Sequence, residues 1–262
     1  MVTILPETPS QGYQRSLMRL IQITDCHLLS DTTRTAYGDI NPYSSLQQCL
    51  QLSQALAPDA LLITGDISGD DSANSYTHFT RLLNDYCPSI PFKVIPGNHD
   101  VNPYFNPMLK RATLTAGSAW QLGQWHIHGI DSTFSGTRGR VETQQLNSIS
   151  GEVDAHPDHF HLVALHHHPF TTGSWMDKHE LENADEVISW FRQQEKIEAM
   201  IYGHIHAVRE HAVDGRAVLS APSSCWQWRM TPEFGVESTA PGLRVIDLAP
   251  DGTFSTFIRR IR

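Results

Sequence analysis

The sequence predicts an α/β protein with a polar site at the carboxyl ends of its strands. Three observations carry that reading. Five short, largely apolar runs have the length and composition of buried strands. Stretches with apolar residues at helical spacing lie among them. Each run leads into a loop that opens with Asp, Asn or His, and in sheets with parallel strands ligand sites collect at the carboxyl ends.

Taken in order, Met18 to Thr24 reads as the first strand and runs into Asp25-Cys26-His27. Pro42 to Ala57 follows as a helix, with Leu46, Leu50 and Leu56 in helical register, and Pro58 closes it. Ala60 to Thr64 is wholly apolar but for its last residue and ends in Gly65-Asp66. Ser72 to Leu83 reads as a helix with Tyr76, Phe79, Leu82 and Leu83 on one face. Phe92 to Ile95 is the third strand, leading into Pro96-Gly97-Asn98-His99-Asp100. Trp120 to Ile130 resembles a hairpin around Gly123. His161 to Leu165 is a buried strand that ends in His166-His167-His168-Pro169. A helix from Ala184 to Gln194 leads to the strand Ala199 to Tyr202 and then to Gly203-His204-Ile205-His206. Val208 to Val213, turning at Asp214-Gly215, and Leu243 to Leu248, turning at Asp251-Gly252, read as hairpins.

The chain has 262 residues, 40% of them hydrophobic, and can bury a sizeable core without staples. It shows no repeat, low-complexity tract or internal linker, so the expectation is a flexible tail over residues 1–16 and one domain over 17–262. Lys and Arg total 19 against 28 Asp and Glu, a formal charge of −9. That balance argues against gripping a nucleic-acid backbone and against a polybasic membrane patch. No apolar run approaches the ~18 residues of a membrane span, and residues 1–16 lack the basic start and apolar centre of a signal peptide. The four cysteines are scattered, with no Cys-x-x-Cys, which indicates neither a disulfide framework nor a thiolate zinc site. A reduced, cytoplasmic enzyme is the expectation. Histidine is the outlier, with 15 residues, several of them clustered.

Strand alternation places residues i and i+2 on one side, so Asp25 pairs with His27 and His204 with His206. The converging set is Asp25, His27, Asp66, Asn98, one histidine of the 166–168 run, His204 and His206. Oxygen and imidazole donors without thiolate suit Mn, Fe, Zn or Co rather than Ca or an iron–sulfur cluster. Seven donors are too many for one such ion and suffice for two if a carboxylate bridges them. Two ions about 3.5–4 Å apart are common machinery of phosphatases and nucleases.

The order Asp-x-His, Gly-Asp, Gly-Asn-His-Asp, a histidine-rich strand end and Gly-His-x-His resembles the calcineurin-like metallophosphoesterase superfamily, over Asp25 to His206. The stretches His166 to Phe170, Gly173-Ser174-Trp175, Ala221 to Cys225 and Ala240 to Arg244 look like the bacterial class III cyclic AMP phosphodiesterases. The resemblance implies a four-layer α/β/β/α sandwich with the metal site at the strand ends. Carried over by position, it implies one metal held by Asp25, His27, Asp66 and His206. The other falls to Asp66, Asn98, His166 and His204, with Asp66 as the bridge. Within the run of three histidines, His166 directly follows the apolar strand and is favoured, His168 is a second candidate, and alternation turns His167 away. The metals implied are two divalent ions, Fe2+ or Mn2+ first, with Zn2+ or Co2+ open.

The activity so implied is hydrolysis of 3′,5′-cyclic AMP to 5′-AMP, with a hydroxide generated by the metals as nucleophile. His99 is the group placed to protonate the leaving 3′-oxygen, and Asp100 to orient it. Substrate contacts then fall on His27, Asp66, Asn98, His99 and His206. The partner is a small molecule rather than a nucleic acid or a membrane; the oligomeric state stays open. Another small phosphodiesterase or phosphomonoesterase is the enzymatic alternative, and a scaffold that has lost its metals is disfavoured because every motif residue is present. Three bland readings stand beside these. His126 and His128 read as structural, His156, His159 and His161 as solvated loop residues, and Cys26 and Cys225 as small packing groups. For Trp226 and Trp228, packing is favoured over stacking on a base.

Overall fold

The computed structural model describes residues 17–262, so the tail expected over residues 1–16 lies outside the described residues. Strand β1 (Met18–Ile23) is followed by α1 (Pro42–Ala55), β2 (Ala60–Thr64), α2 (Ala73–Tyr86), β3 (Phe92–Ile95) and the short α3 (Phe105–Leu109). Next come β4 (Trp120–Leu122), β5 (Trp125–Gly129), the small ladder β6 (Thr133–Ser135) with β7 (Arg138–Gly139), α4 (Thr143–Ala155), β8 (Phe160–Ala164), α5 (Ala184–Gln193) and β9 (Ile197–Tyr202). The chain closes with β10 (Glu210–Val213), β11 (Arg216–Ser220), β12 (Gln227–Trp228), β13 (Val236–Glu237), β14 (Gly242–Leu248) and β15 (Phe254–Arg260).

One sheet has the order β15-β14-β1-β2-β3, in which β1, β2 and β3 run parallel. The other has the order β10-β11-β9-β8-β5-β4, in which β11, β9, β8 and β5 run parallel. Alternation along each strand divides its apolar residues between two layers. In β2, Ala60 and Leu62 face the second sheet and join Trp125, Ile127, Leu162 and Ile201 in a core between the sheets. Leu61 and Ile63 face outward and pack against Leu46 and Leu50 of α1 and Phe79 and Leu82 of α2. The second sheet does the same on its far side, where Val163 and Met200 meet Ile149 and Val153 of α4 and Val187 and Phe191 of α5. The result is the four-layer α/β/β/α sandwich. Among the described residues no helix is long and apolar enough to cross a membrane.

Local chemistry sets the element ends. Asn41 caps α1 by accepting from the Ser44 N–H at 2.8 Å, and Pro42 occupies the first turn, where its missing N–H costs nothing. The helix stops at Ala55, earlier than expected, because Ala57 precedes Pro58 and takes a left-handed φ of 50°. Helix α4 has no counterpart in the sequence reading. Its buried stripe is only Leu146, Ile149 and Val153 among Gln, Ser, Gly and Asp, too thin for periodicity to reveal.

The histidines outside the motifs correct one expectation. His161 is not a solvated loop residue: β8 begins at Phe160, and His161 is fully buried, with Nδ1 2.8 Å from Nε2 of His128 on β5. His126 is also buried and stacks on His159 with ring centroids 4.3 Å apart. His126 and His161 lie near the amino ends of β5 and β8, away from the histidine run that follows β8. Burial, then the neighbouring imidazoles, depresses His126 to about 4 and His128 to about 3. The unfolded chain therefore takes up protons near the ordinary histidine value of ~6.5, before the folded one does. Stability is expected to fall as pH drops from about 6.5 toward 4, and His126→Gln should flatten that fall. Denaturant midpoints of wild type and variant across this range check it; parallel curves would contradict it.

Candidate metal centre

Five loops, following β1, β2, β3, β8 and β9, bring the motif residues to one place at the sheet ends. Strand alternation, the geometry expected from sequence, is not how they converge. β1 stops at Ile23 and β9 at Tyr202, and the residues beyond them turn. Asp25, His27, Asp66, His204 and His206 all take left-handed backbone, with φ of 53°, 45°, 53°, 68° and 45°. Such conformations cost on the order of 1 kcal/mol each for non-glycine residues and persist where surrounding bonds hold them. Here the loops hold one another: Asp25 N–H donates to Gly65 O at 3.0 Å and His27 N–H to Asp66 O at 2.9 Å. Ser223 Oγ donates to the Asp25 carbonyl at 2.9 Å, and the Cys225 thiol, kept neutral by burial, lies 3.1 Å from the same oxygen. The Gly97 backbone passes so close to Asp66 and His166 that a Cβ there would collide with both.

Each carboxylate uses one oxygen to hold the scaffold and presents the other. Asp25 Oδ2 accepts from Thr24 Oγ1 at 2.7 Å and from His204 N–H at 3.0 Å, whereas its buried Oδ1 has no hydrogen-bond donor among the described residues. Asp66 Oδ1 accepts from the His99 N–H at 2.9 Å, and Oδ2 lies 3.3 Å from His166 Nε2 and 3.7 Å from His27 Nε2. The imidazoles are oriented from behind. His166 Nδ1–H donates to Thr64 O at 2.7 Å, His206 Nδ1–H to Trp226 O at 2.9 Å, and His204 Nε2–H to His179 O at 3.0 Å. A carbonyl only accepts, so the donating nitrogen carries the hydrogen and the opposite nitrogen faces the carboxylates.

Those opposite nitrogens come in close pairs. His27 Nε2 is 3.0 Å from His206 Nε2, which is 3.3 Å from Asp25 Oδ1. His166 Nε2 is 3.1 Å from His204 Nδ1, and the buried Asn98 Oδ1 also has no donor among the described residues. Facing lone pairs and donor-less buried oxygens are stable only around positive charge. That demand shows in His166: burial opposes its protonation, yet the Asp66 charge and hydrogen bond, with Asp25, raise it to about 9. Burial likewise works to raise Asp66, and His166, His99 and His27 overcome it, holding the carboxyl well below its usual range. A divalent cation competes with a proton for such nitrogens. The donor set fits two ions, one beside Asp25, His27 and His206, the other beside Asn98, His166 and His204, with Asp66 facing both groups.

All seven residues singled out from sequence are therefore brought together. Of the histidine run, it is His166 that meets Asp66. His167 is bound by Ser132 Oγ, 2.8 Å from its Nδ1, and His168 is stacked on the His204 ring at 5.5 Å. Asp100 does not orient His99. It is buried and accepts from the N–H groups of Gly97 and Ile67 and from Tyr76 Oη at 2.8 Å, tying the loop after β3 to the loop after β2. The His99 ring is only partly buried and meets the His27 ring edge-on at 4.9 Å. It borders a cavity of about 730 Å³ that His27, Asp66, Asn98, His204 and His206 also line. Sequence reasoning missed the outer wall of that cavity, Tyr37, Trp175 and Phe234, because these residues come from separate loops without a shared motif.

The profile of the calcineurin-like phosphoesterase family matches residues 18–208. The chain belongs to that family. It is 31% identical over 255 residues to 3′,5′-cyclic adenosine monophosphate phosphodiesterase CpdA of Haemophilus influenzae, covering 95% of this chain and 92% of that one. It is 32% identical over 253 residues to the protein of the same name from Escherichia coli K12, covering 93% and 90%. Among solved structures, a dimetal phosphatase from Danio rerio superposes with a TM-score of 0.67 at 12% identity over 94% of this chain and 99% of that one, a likeness of fold.

Metal content separates the three adjacent histidines of this calcineurin-like phosphoesterase. His166→Ala should lower metal per chain, whereas His167→Ala and His168→Ala should retain it, as elemental analysis of the purified variants would show. Retention in the first with loss in either of the others would move the ligand along the run.

Proposed function

We propose that the chain hydrolyses 3′,5′-cyclic AMP to 5′-AMP at a centre of two divalent ions. The observation that carries this reading is the division of the buried donors into two groups that share Asp66, open on one side to a cavity of about 730 Å³. Its support in the relatives is the name of the phosphodiesterases that match over nine-tenths of both chains. Asp25, His27, Asp66 and His206 hold one ion, and Asp66, Asn98, His166 and His204 the other. Imidazole and carboxylate donors suit Fe2+ or Mn2+, with Zn2+ and Co2+ also compatible. When bound, the ions neutralise the phosphodiester and lower the pKa of the attacking water.

The remaining work falls to the chain. Neutral Asn98 supplies an oxygen donor without a further negative charge beside an anionic substrate. Cavity walls that include His27, Asp66, Asn98 and His206 restrict where a phosphate can sit, which favours in-line attack. His99 is tethered to Asp66 through its backbone while its ring stays in the cavity, so the imidazole is available to give a proton to the departing 3′-oxygen. The net charge of −9 disfavours a long polyanion as substrate.

His99→Ala should keep its metals and slow turnover of cyclic AMP by roughly 10²–10⁴-fold. Turnover of bis(p-nitrophenyl) phosphate, whose leaving group needs little protonation, should fall distinctly less. Steady-state kinetics on both substrates, with metal analysis, decide the matter. Equal losses on the two would make His99 a phosphate-positioning group, and loss of metal would make it a ligand. Cyclic AMP left intact by the metal-loaded wild type would overturn the substrate assignment.

A further inference from the structure

The cavity beside the metal centre has a second wall made of aromatic rings. Trp226 stacks on the His27 ring at 5.1 Å and 24°, and Trp228 stacks on the His206 ring at 5.0 Å and 25°. From these two indoles the wall continues outward. Tyr37 meets Trp226 at 5.1 Å and Trp228 at 5.0 Å, Phe234 meets Trp228 at 5.4 Å, and Trp175 meets Trp228 at 5.3 Å and Phe234 at 5.0 Å. All five rings line the cavity that holds His99 and Asn98.

A cluster built only for stability would turn its faces inward, yet Tyr37 and Phe234 are 50% and 56% exposed. Large exposed aromatics grouped beside a polar cleft are a signature of binding surfaces. A second, independent observation points the same way. Trp226 is almost fully buried, and its indole N–H has no acceptor among the described residues. A buried donor left unpaired is a cost that a ligand oxygen can remove.

We propose that this wall is a nucleobase subsite, with Tyr37 and Phe234 as the residues that stack on the base of a nucleotide whose phosphate lies at the metal centre. The proposal rests on the reading of the chain as a cyclic-nucleotide phosphodiesterase and specifies what recognises the part of the substrate remote from phosphorus. Trp228 touches both the His206 imidazole, at 5.0 Å, and Phe234, at 5.4 Å, so the aromatic wall is continuous from the metal-facing ring to the exposed rim. A phosphate held beside His206 and His27 therefore places its base among Tyr37, Trp175 and Phe234. Stacking has no charge requirement, so the subsite works in an acidic protein where phosphate recognition is left to the metals. Because the wall touches the base and not the reacting bond, its contribution is uniform binding, which appears in KM rather than kcat.

The test compares cyclic AMP with the base-free diester 1-O-methylribofuranose 3′,5′-cyclic phosphate on the metal-loaded enzyme. Wild type should prefer cyclic AMP in kcat/KM. Tyr37→Ala and Phe234→Ala should each reduce that preference roughly 5- to 100-fold, the span of one lost base–ring stack, through KM. Tyr37→Phe, which keeps the ring, should restore it, so a folding defect in the alanine variant cannot imitate the result. A preference unchanged in both alanine variants would overturn the subsite. So would a wild type that cleaves both diesters equally well, an outcome that leaves the diesterase reading standing. Failure to cleave either cyclic phosphate, with turnover of a simple phosphomonoester, would overturn the subsite and the diesterase reading together.

Discussion

Asp25 and Asp66 are buried side by side where the two sheets end, and two carboxylates removed from water are tolerable only against positive charge. Much of the local architecture answers that constraint. Four histidines, His27, His166, His204 and His206, turn ring nitrogens toward the two carboxylates, and three of them are held from behind by backbone carbonyls. A polar side chain also ties the two sheets together directly behind the cluster. The buried Gln22 side chain donates to Thr64 Oγ1 and to the Tyr202 carbonyl, joining the first sheet to the second beneath the loops that follow β2 and β9. Charge at the centre and the hydrogen bonds that orient His166, His204 and His206 act as one device.

The sandwich supplies what a pair of helices or one sheet could not. Three of the five loops follow the parallel strands β1, β2 and β3 of one sheet, and two follow β8 and β9 of the other. The core between the sheets fixes the distance across which they meet, since Leu62 and Ile201 pack within it a few residues before Asp66 and His204. Close-packed interiors resist small displacements. Loops rooted so near that core can hold left-handed residues such as Asp25 and His206, which an isolated loop would relax.

Much of this was legible in the residues, for physical reasons that differ from case to case. β2 was plain because a strand buried on both faces is apolar at nearly every position, and β3 because a short, mostly apolar run stops at Pro96. The candidate metal-site residues were legible because each lies just past a strand and is of a type that binds cations. Their means of convergence was not, because strand alternation describes extended backbone and these residues leave it. Side-chain partners were equally hidden. Asp100 follows His99 directly, and the bonds it makes are to Gly97, Ile67 and Tyr76. The aromatic wall lay beyond sequence reasoning for a further reason. Trp226 and Trp228 are an obvious pair, but Tyr37, Trp175 and Phe234 are distant in the chain, and no period or motif unites residues that meet only through the packing of loops.

The central claim is that a shared carboxylate organises two cation sites from one buried cluster. Anomalous diffraction from crystals of the protein loaded with Mn2+ tests it most directly. The account predicts two anomalous peaks per chain, both within bonding distance of the Asp66 carboxylate, one beside His27 and His206 and the other beside His166 and His204. A single peak, or two peaks that do not share Asp66, would contradict it.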